Sequence, residues 1–377
     1  MTSKIARFNP VVGRRLATNS LTGPDNQPRF GWSGSYTDTA RSAPGHIDRV
    51  RGFWALCQRI GAERKSLKPA FRFALRGLLH MDAVNHVAQS LGRLENGSMC
   101  EDEVVHILLN LGRPYARRGL SPLQRAAIMV THHTVFSRHL GIGVKRGLSE
   151  RSTLCLARIS GRAGGPYRIV LKRSPFSLRK EGEATLSLVD DSDGVSLADL
   201  TFSIGPDTLS GRPCLRIGGM QGPKSADARE AIKTATKALS GLRPKAAVIE
   251  AFYVLARQIG VDRILATSLK GHVLTAKRGR GQMHSSAYDG FWEELGAVRQ
   301  NDYEFSLPGT LPHRPECEVP SNRRSEWRRR QALVADLVGQ THEALTRAPL
   351  GVSASPTPVR LSATFGSVDT LTMPMAL

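Results

Sequence analysis

Between residues 167 and 220 the sequence alternates short β-type runs with turn segments. The runs are residues 167–173, 184–189, 195–204 and 213–220. Parallel strands need a crossover of about a dozen or more residues, usually a helix, whereas antiparallel strands can be joined by tight turns. The Asp-Asp-Ser-Asp-Gly segment at residues 190–194 is typical of such a turn. The pattern therefore predicts an antiparallel meander with one packed face and one wetter face.

Two helical runs follow the meander, at residues 225–239 and 244–258. Gly241 and Gly260 come after them, where a left-handed residue commonly ends a helix, and Pro244 suits the first position of the second run. A strand at 263–267, a helix at 288–295 and a strand at 303–307 complete the series. The order meander, helix, strand, helix, strand predicts one compact α/β domain over residues 167–308, and we expect the chemistry of the protein there.

The rest of the chain divides by its composition. Residues 46–160 show helical periodicity and are predicted to form a helical domain, with Ser121 as an N-cap before Pro122. Residues 161–310 are assigned to the α/β domain, and residues 311–350 to a basic C-terminal helix that packs on the core. Residues 1–45 and 351–377 are rich in Gly, Ser, Thr and Pro, and we expect them to be disordered.

The charge of the chain indicates an anionic partner. The net charge is +21, from 53 Lys and Arg against 32 Asp and Glu. Such an excess attracts nucleic acid, acidic lipid or a phosphorylated ligand. The excess of Arg over Lys is also what a GC-rich genome produces. No zinc finger, RNP motif or basic zipper is present in the sequence. The expected partner is thus a phosphorylated donor, an acidic lipid or tRNA, while the oligomeric state stays open.

Cysteine usage and hydropathy exclude several classes. The five cysteines are odd in number and include no CxxC pair, which argues against a disulfide framework or a zinc ribbon. His132 and His133 are neighbours on a helix and point about 100° apart, so they cannot share a metal as an i, i+4 pair does. No metal is expected. Because no apolar run approaches bilayer length and no secretory h-region follows the N-terminus, we expect a cytoplasmic protein, with a peripheral position on the inner membrane left open.

Two segments resemble the second half of the GCN5-related N-acetyltransferase fold. These are residues 246–256 leading into 260–264, and residues 288–297. In that fold an acyl-CoA-binding helix runs into a strand, and a helix of the type FYxxLGF precedes the last strands. The resemblance implies an α+β fold class, with an N-terminal helical domain followed by an acetyltransferase-like, mixed, mainly antiparallel sheet flanked by helices.

The sequence departs from that family at two functional positions. The pyrophosphate loop would fall at residues 241–245, where one glycine remains and Pro244 donates no hydrogen bond. Arg243 and Lys245 could substitute charge for the missing backbone donors, or could be solvated charges at a helix start. The frequent Tyr general acid would fall at Trp292, whose indole cannot transfer that proton. The donor cofactor is therefore open between acyl-CoA and aminoacyl-tRNA, and tRNA would make better use of the +21 charge.

A more specific resemblance is to the VirK/YbjX family of bacterial proteins. It rests on residues 219–223, 236–245, 271–273 and 288–296, on the arginines around Trp327, and on the helix that holds His132 and His133. It spans roughly residues 51–345. Membership implies a Gram-negative protein associated with virulence, cell-envelope properties and tolerance of antimicrobial peptides, and it implies no settled biochemical activity.

These patterns lead to three sets of candidate site residues. The candidate catalytic residues are His272, Glu181 and Asp289. His272 follows a strand end and is either a general base or a structural loop histidine. Glu181 is either a base or a surface ion-pair partner, and Asp289 is expected to line a cleft. The candidate cofactor-binding residues are Gln221, Gly222, Arg243 and Lys245, where Gly222 would permit close backbone approach to a ligand or would simply form a turn.

The third set is a basic cluster at the start of the last helix. It consists of Arg323, Arg324, Arg328, Arg329 and Arg330. The cluster is either a solvated helix face or an anion-docking patch, with Trp327 at a lipid interface or stacked on a base. The preferred function is an acyl- or aminoacyl-transferase with a modified donor site. The alternatives are a non-enzymatic anion- or membrane-docking protein on a degenerate transferase fold, and a nucleic-acid-binding protein.

Overall fold

The protein was analysed as a computed structural model. It describes residues 79–92, 110–139, 153–161, 166–207, 210–223, 225–276 and 285–347, together with isolated positions between 57 and 108. The predictions for residues 1–45 and 351–377 lie outside the described residues.

An eight-stranded sheet organises the described part of the chain, in the order β1-β2-β3-β4-β5-β6-β8-β7. The strands are β1 Leu154–Ser160, β2 Pro166–Arg173, β3 Ala184–Asp190, β4 Ser196–Pro206, β5 Pro213–Gln221, β6 Ile264–Thr267, β7 Val298–Arg299 and β8 Glu304–Ser306. β5 and β6 are parallel, and the other neighbouring strands are antiparallel. The predicted meander corresponds to β2–β5, and the mixed, mainly antiparallel sheet is confirmed.

Helices flank this sheet. They are α1 Met81–Gly92, α2 Pro122–His139, α3 Ala228–Ala238, α4 Pro244–Ile259, α5 Ser285–Glu294 and α6 Arg324–Arg347. The Ser121 hydroxyl accepts the Gln124 N–H at 3.2 Å, so Ser121 is the N-cap of α2 as predicted. The Gln124 side chain also accepts the Ser121 N–H at 2.9 Å, which completes a capping box. Gly260 ends α4 with φ of 72°. The predicted order of helices and strands after the meander is confirmed.

The helical prediction for residues 46–160 does not hold at its end, because residues 154–160 form β1. A register shift between Cys155 and Ala157 interrupts the alternation by which a strand is recognised in a sequence. The Gln340 amide on α6 donates to the Arg158 carbonyl at 3.0 Å and accepts the Arg158 N–H at 2.9 Å. A helix side chain thus takes the place of a strand partner at this edge.

The two faces of the meander differ in chemistry. Leu186, Leu200 and Phe202 belong to the core that α4 completes, and the rings of Phe202 and Phe252 meet edge to face at 5.1 Å. The other face is polar, with Thr185 paired to Thr201 in register. Its hydroxyls are buried and hydrogen-bonded to one another, so this face is less exposed to solvent than the sequence predicted.

The helix α2 docks beside β4. The backbone N–H of Ile204 donates to His132 Nδ1 at 3.2 Å. Ile204 lies beyond Phe202, the last residue of β4 that pairs with β3. His132 is buried and stacks on Phe136, with ring centroids 4.7 Å apart. His132 therefore accepts the hydrogen bond of a strand N–H, which gives it a structural role rather than a ligand-binding one.

A close approach on β5 places the segment that precedes β3. The register between β4 and β5 shifts at Gly218, which leaves this residue as a bulge. A Cβ at Gly218 would overlap the Glu181 carbonyl oxygen and lie 2.9 Å from the Ala116 carbonyl oxygen. Two loops therefore rest directly on the backbone of β5.

Replacing Gly218 by alanine should destabilise the protein by about 3 kcal/mol or more, since the new methyl group meets backbone atoms that cannot rotate away. Gly339→Ala is the matched control, because a Cβ at Gly339 in α6 meets no atom within 4 Å. That control should be stabilising by about 0.5–1 kcal/mol. Urea unfolding of both variants measures the difference, and similar midpoints would contradict this account.

Candidate functional site

The candidate site lies where β5 and β6 part. The two strands pair only from Leu215 to Ile217 on β5 and from Ile264 to Ala266 on β6. β5 continues to Gln221, whereas β6 ends at Thr267. An opening at the carboxyl ends of parallel neighbours is a common place for a ligand site in α/β folds.

A buried carboxylate lies at this opening. Glu181 Oε1 accepts a hydrogen bond from the Gln221 amide at 2.5 Å and lies 3.8 Å from His272 Nε2. The side chains of Glu181 and His272 are each 1% exposed. A Cβ at Gly219 would overlap Glu181 Oε2 and lie 3.1 Å from His272 Nε2. Glycine at 219 therefore makes room for the pair, and the structure brings together three of the predicted site residues.

The hydrogen bonds of His272 define its protonation. Burial lowers the pKa of His272 to about 4, so the ring is neutral near pH 7. Nδ1 accepts the Leu274 N–H at 3.3 Å and cannot carry the proton. The proton of the neutral ring therefore resides on Nε2, on the side of Glu181. In this state His272 is a donor, and Glu181 is the group able to accept a proton.

Two aromatic side chains of α5 extend the cluster. The Tyr288 ring meets the His272 ring edge to face at 5.5 Å and the Trp292 ring at 6.0 Å. Burial, and after it the Glu181 carboxylate, raises the pKa of Tyr288 well above its ordinary value, while the Met220 backbone and the Trp292 indole counteract that rise. The phenol oxygen thus lies between β5, α5 and Glu181.

Three buried polar atoms of this cluster have no hydrogen-bond partner among the described residues. They are His272 Nε2, Tyr288 Oη and Trp292 Nε1. Buried polar groups are nearly always hydrogen-bonded, to protein or to ordered water. A group of donors without acceptors beside a carboxylate is therefore a candidate site for a ligand that offers an oxygen.

The contacts of Asp289 favour a structural role. One carboxylate oxygen accepts the Leu269 N–H at 2.7 Å, and the other accepts Arg299 Nη2 at 2.7 Å. The side chain therefore holds the loop after β6 and the strand β7. The predicted catalytic role of Asp289 stays a prediction.

The predicted cofactor residues fall in two places. Gln221 holds Glu181, and a Cβ at the neighbouring Gly222 would meet nothing closer than 3.7 Å. A Cβ at Gly219, by contrast, would overlap Glu181 Oε2, and the predicted approach of a ligand at Gly222 stays a prediction. Arg243 Nη2 lies 2.8 Å from the Glu294 carboxylate, and Lys245 Nζ lies 5.4 Å from the Phe291 ring centroid.

Arg243 and Lys245 therefore lie against α5, the helix that also carries Tyr288. Burial, and after it the Arg243 charge, lowers the pKa of Lys245. The two cations could hold the anionic part of a donor whose reactive end lies near Tyr288.

The basic cluster at the start of α6 is partly neutralised within the protein. Arg328 Nη2 and Nε bind the Glu316 carboxylate at 2.6 and 2.8 Å, and Arg324 Nε donates to the Val319 carbonyl at 3.1 Å. The Trp327 indole N–H donates to the Arg314 carbonyl at 3.2 Å. Arg323 and Arg329 are exposed, and Arg330 is half-buried.

A second polar cluster was not predicted from the sequence. The Tyr115 hydroxyl lies 2.7 Å from Glu183 Oε1 and 2.9 Å from Ser203 Oγ, and His133 Nε2 lies 3.6 Å from Glu183 Oε2. Burial alone would raise the pKa of Glu183, but His133, with smaller contributions from His132 and Tyr115, holds it at about 2. Sequence alone carried no signal for Tyr115 and Ser203, which are 88 residues apart.

Comparison with known proteins identifies the family. Residues 62–343 match the family model described as "Protein of unknown function (DUF535)". The chain belongs to the DUF535 family. This DUF535 chain is 29% identical over 266 residues to the "Uncharacterized protein YbjX" of Escherichia coli K12, which covers 70% of this chain and 79% of that protein. The resemblance to the VirK/YbjX family is thereby confirmed.

Two further similarities are more limited. An uncharacterized protein of Haemophilus influenzae is 29% identical over 121 residues, which is 32% of the DUF535 chain and 40% of that protein. A solved "cAMP-binding acyltransferase from Mycobacterium smegmatis" is 13% identical with a TM-score of 0.23, covering 61% of this chain and 63% of that one. A likeness at that TM-score carries no argument about activity.

The described part of this DUF535 protein contains neither a candidate membrane-spanning helix nor a candidate metal-binding group. None of its described helices is both long enough and apolar enough to cross a bilayer. No three His, Cys, Asp or Glu side chains among the described residues are grouped so that they could hold a metal ion.

The buried His272 should make folding sensitive to acid. The unfolded chain protonates this histidine below about pH 6.5, whereas the folded protein does so only near pH 4, so acidification across this window favours unfolding. The contribution is about 3 kcal/mol. His272→Gln should flatten the dependence of the unfolding free energy on pH between 6.5 and 4. Urea midpoints at three pH values measure it, and parallel profiles for both proteins would contradict the expectation.

Proposed function

We propose that this protein transfers an acyl or aminoacyl group to an amine or hydroxyl acceptor at the opening between β5 and β6. The observation that carries the proposal is the cluster in which a buried carboxylate, Glu181, lies beside three buried donors without acceptors. Such an arrangement suits a reaction in which a nucleophile loses a proton while negative charge develops on a carbonyl oxygen.

Glu181 acts as the general base in this proposal. The acceptor nitrogen or oxygen attacks the carbonyl carbon, and its proton passes to Glu181. The bond from carbonyl carbon to the sulfur or oxygen of the donor then breaks, and Glu181 returns the proton to that leaving atom. The Gln221 amide holds the carboxylate in position at 2.5 Å. The charge on the carbonyl oxygen is stabilised by the buried donors of Tyr288 and His272.

The donor would be anchored by charge rather than by a glycine-rich loop. Arg243 lies at the start of α4, and Lys245 follows in its first turn, both against α5. They suit the phosphates of acyl-CoA or of an aminoacyl-tRNA, since guanidinium and ammonium groups bind phosphate through charge-assisted hydrogen bonds. In this proposal Arg243 gives up its exposed contact with Glu294 when the donor binds.

The proposed setting follows from the family. Because the chain resembles VirK/YbjX proteins, we place its reaction in the cytoplasm or at the inner membrane surface, on an acceptor used in building the cell envelope. A role in virulence or in tolerance of antimicrobial peptides would then be a consequence of envelope modification.

A second candidate function is docking without catalysis on anionic membrane or an acidic partner. It is favoured by the arginines at the start of α6, of which Arg323 and Arg329 are exposed. Two variants separate the candidates in vivo. If Arg243→Ala with Lys245→Ala leaves function intact while charge reversal at residues 328–330 abolishes it, docking is the function.

Glu181→Gln should reduce transferase turnover by about 100-fold or more, because the amide cannot accept the proton of the nucleophile. The assay follows release of CoA thiol from acyl-CoAs of increasing chain length, and deacylation of charged tRNA, in the presence of amine acceptors. Glu293→Gln is the control, since Glu293 is exposed on α5. If calorimetry finds that wild-type protein binds neither class of donor, the transferase proposal is wrong.

Tyr288→Phe should lower turnover by about 100-fold with little change in stability, because it removes the proposed donor to the carbonyl oxygen while the ring keeps its contacts with His272 and Trp292. Tyr253→Phe should show the opposite pattern, since that hydroxyl donates to the Pro308 carbonyl at 2.8 Å. Its loss costs stability and leaves turnover intact. Thermal unfolding and the turnover assay together separate the two, and a purely structural Tyr288 would lose stability.

A further inference from the structure

Three helices that approach one another at the turn of Gly241 carry basic side chains, which together we call the basic face. It consists of Arg229, Lys233 and Lys237 on α3, Arg243 at the start of α4, and Arg329 and Arg330 on α6. All but Arg330 are exposed. The sequence singled out only the arginines of α4 and α6.

The residues on α3 form a regular row. Arg229, Lys233 and Lys237 are four positions apart, so they lie on one side of the helix at steps of about 6 Å along its axis. Phosphates of one nucleic-acid strand recur about every 3.4 Å along a duplex. Three cations in such a row could therefore face a run of about four phosphates. Glu230 lies 3.5 Å from Lys233, but this pair is exposed and weak.

The turn after α3 joins this row to the other two helices. The Gly241 N–H donates to the Thr236 carbonyl at 2.8 Å, which holds the turn against the last residues of α3. A Cβ at Gly241 would lie 3.2 Å from Glu326 Oε1 and 3.7 Å from Arg330 Nη1. Arg243 follows at the start of α4. Basic residues of all three helices therefore flank this turn, with Glu326 between them, and Arg243 belongs to the proposed donor site as well.

The surface lacks what a membrane-binding helix needs. Peripheral helices insert large apolar side chains beside their basic ones. Among the described residues the exposed large hydrophobic side chains are Leu79, Leu123, Phe176, Val195, Leu274 and Val298, and none of them lies on α3 or α6. Trp327 directs its N–H to the Arg314 carbonyl within the protein. Cations without apolar anchors suit a phosphate backbone.

We propose that the basic face binds the backbone of transfer RNA, and that aminoacyl-tRNA is the donor. The identity of the RNA rests on the proposed function, because tRNA is the nucleic acid that carries an activated acyl group. In this arrangement Lys237, Arg243, Arg329 and Arg330 contact phosphates near the acceptor end, and the row on α3 follows the helical stem.

Fluorescence anisotropy with labelled, deacylated tRNA tests the proposal on the full chain. Wild-type protein should bind with an affinity that falls steeply with salt. The double variant Lys237→Gln with Arg329→Gln should raise Kd by about tenfold and lower the salt slope by about 2, since each lost phosphate contact removes about one unit. The control, Arg212→Gln with Arg257→Gln, removes two exposed arginines away from the basic face and should match wild type. Circular dichroism confirms folding.

Other outcomes overturn the proposal. Equal Kd changes in both double variants, or equal affinity for a DNA duplex of the same length, would leave only non-specific attraction. Vesicles of phosphatidylglycerol that bind more tightly than tRNA would assign the surface to lipid. The transferase proposal is judged separately. Turnover of acyl-CoA that depends on Glu181, without tRNA binding, rejects the basic face and the tRNA donor but keeps the transferase. Binding of tRNA without turnover of any donor keeps the basic face and rejects both catalysis and the tRNA donor.

Discussion

The approach of one loop to the backbone of β5 determines the candidate site. Gly218 and Gly219 of β5 have no side chains, so the loop before β3 can approach the strand closely. The backbone and the carboxylate of Glu181 therefore lie directly on β5. Gln221 then reaches that carboxylate from the same strand, and His272 approaches from the end of β6. Any side chain at Gly218 would displace the loop and, with it, the group able to accept a proton.

Burying charge near this strand requires a separate solution for each carboxylate. Glu183 is stabilised as an anion by His133 and Tyr115, and its low pKa follows from those partners. Glu304 binds Arg216 at 2.5 Å and Arg117 at 3.0 Å. The Glu181 carboxylate instead lies beside the neutral imidazole of His272 and the phenol of Tyr288. These neutral neighbours distinguish the candidate reaction centre from the two structural ion pairs.

The arrangement also links the site to the surface. The helix α5 carries Tyr288 and Trp292 toward the cluster, while its Phe291 and Glu294 contact Lys245 and Arg243. The turn at Gly241 then brings Arg330 to the same region. The cations that contact one end of α5 and the buried groups near Tyr288 are therefore linked by this single helix of 10 residues.

The sequence by itself determined the local elements, because their signals lie within a few residues. The capping box at Ser121, the proline that starts α4 and the turns of the meander all follow from short-range hydrogen bonding and backbone geometry. The family was also readable from local motifs. β1 was missed, since its recognition depends on a register shift and on Gln340, whose position in the chain is 182 residues away.

Only the tertiary structure decided which polar residues meet. Glu181 and His272 come together because β5 and β6 part after three paired residues, and no pattern in the sequence states where parallel strands separate. Gly219 is the glycine that lets the Glu181 carboxylate lie against β5, and no local pattern indicated that contact. Contacts of this kind depend on how distant segments pack, so the side chains that touch are specified by the whole fold, whereas the helices and strands that carry them are specified locally.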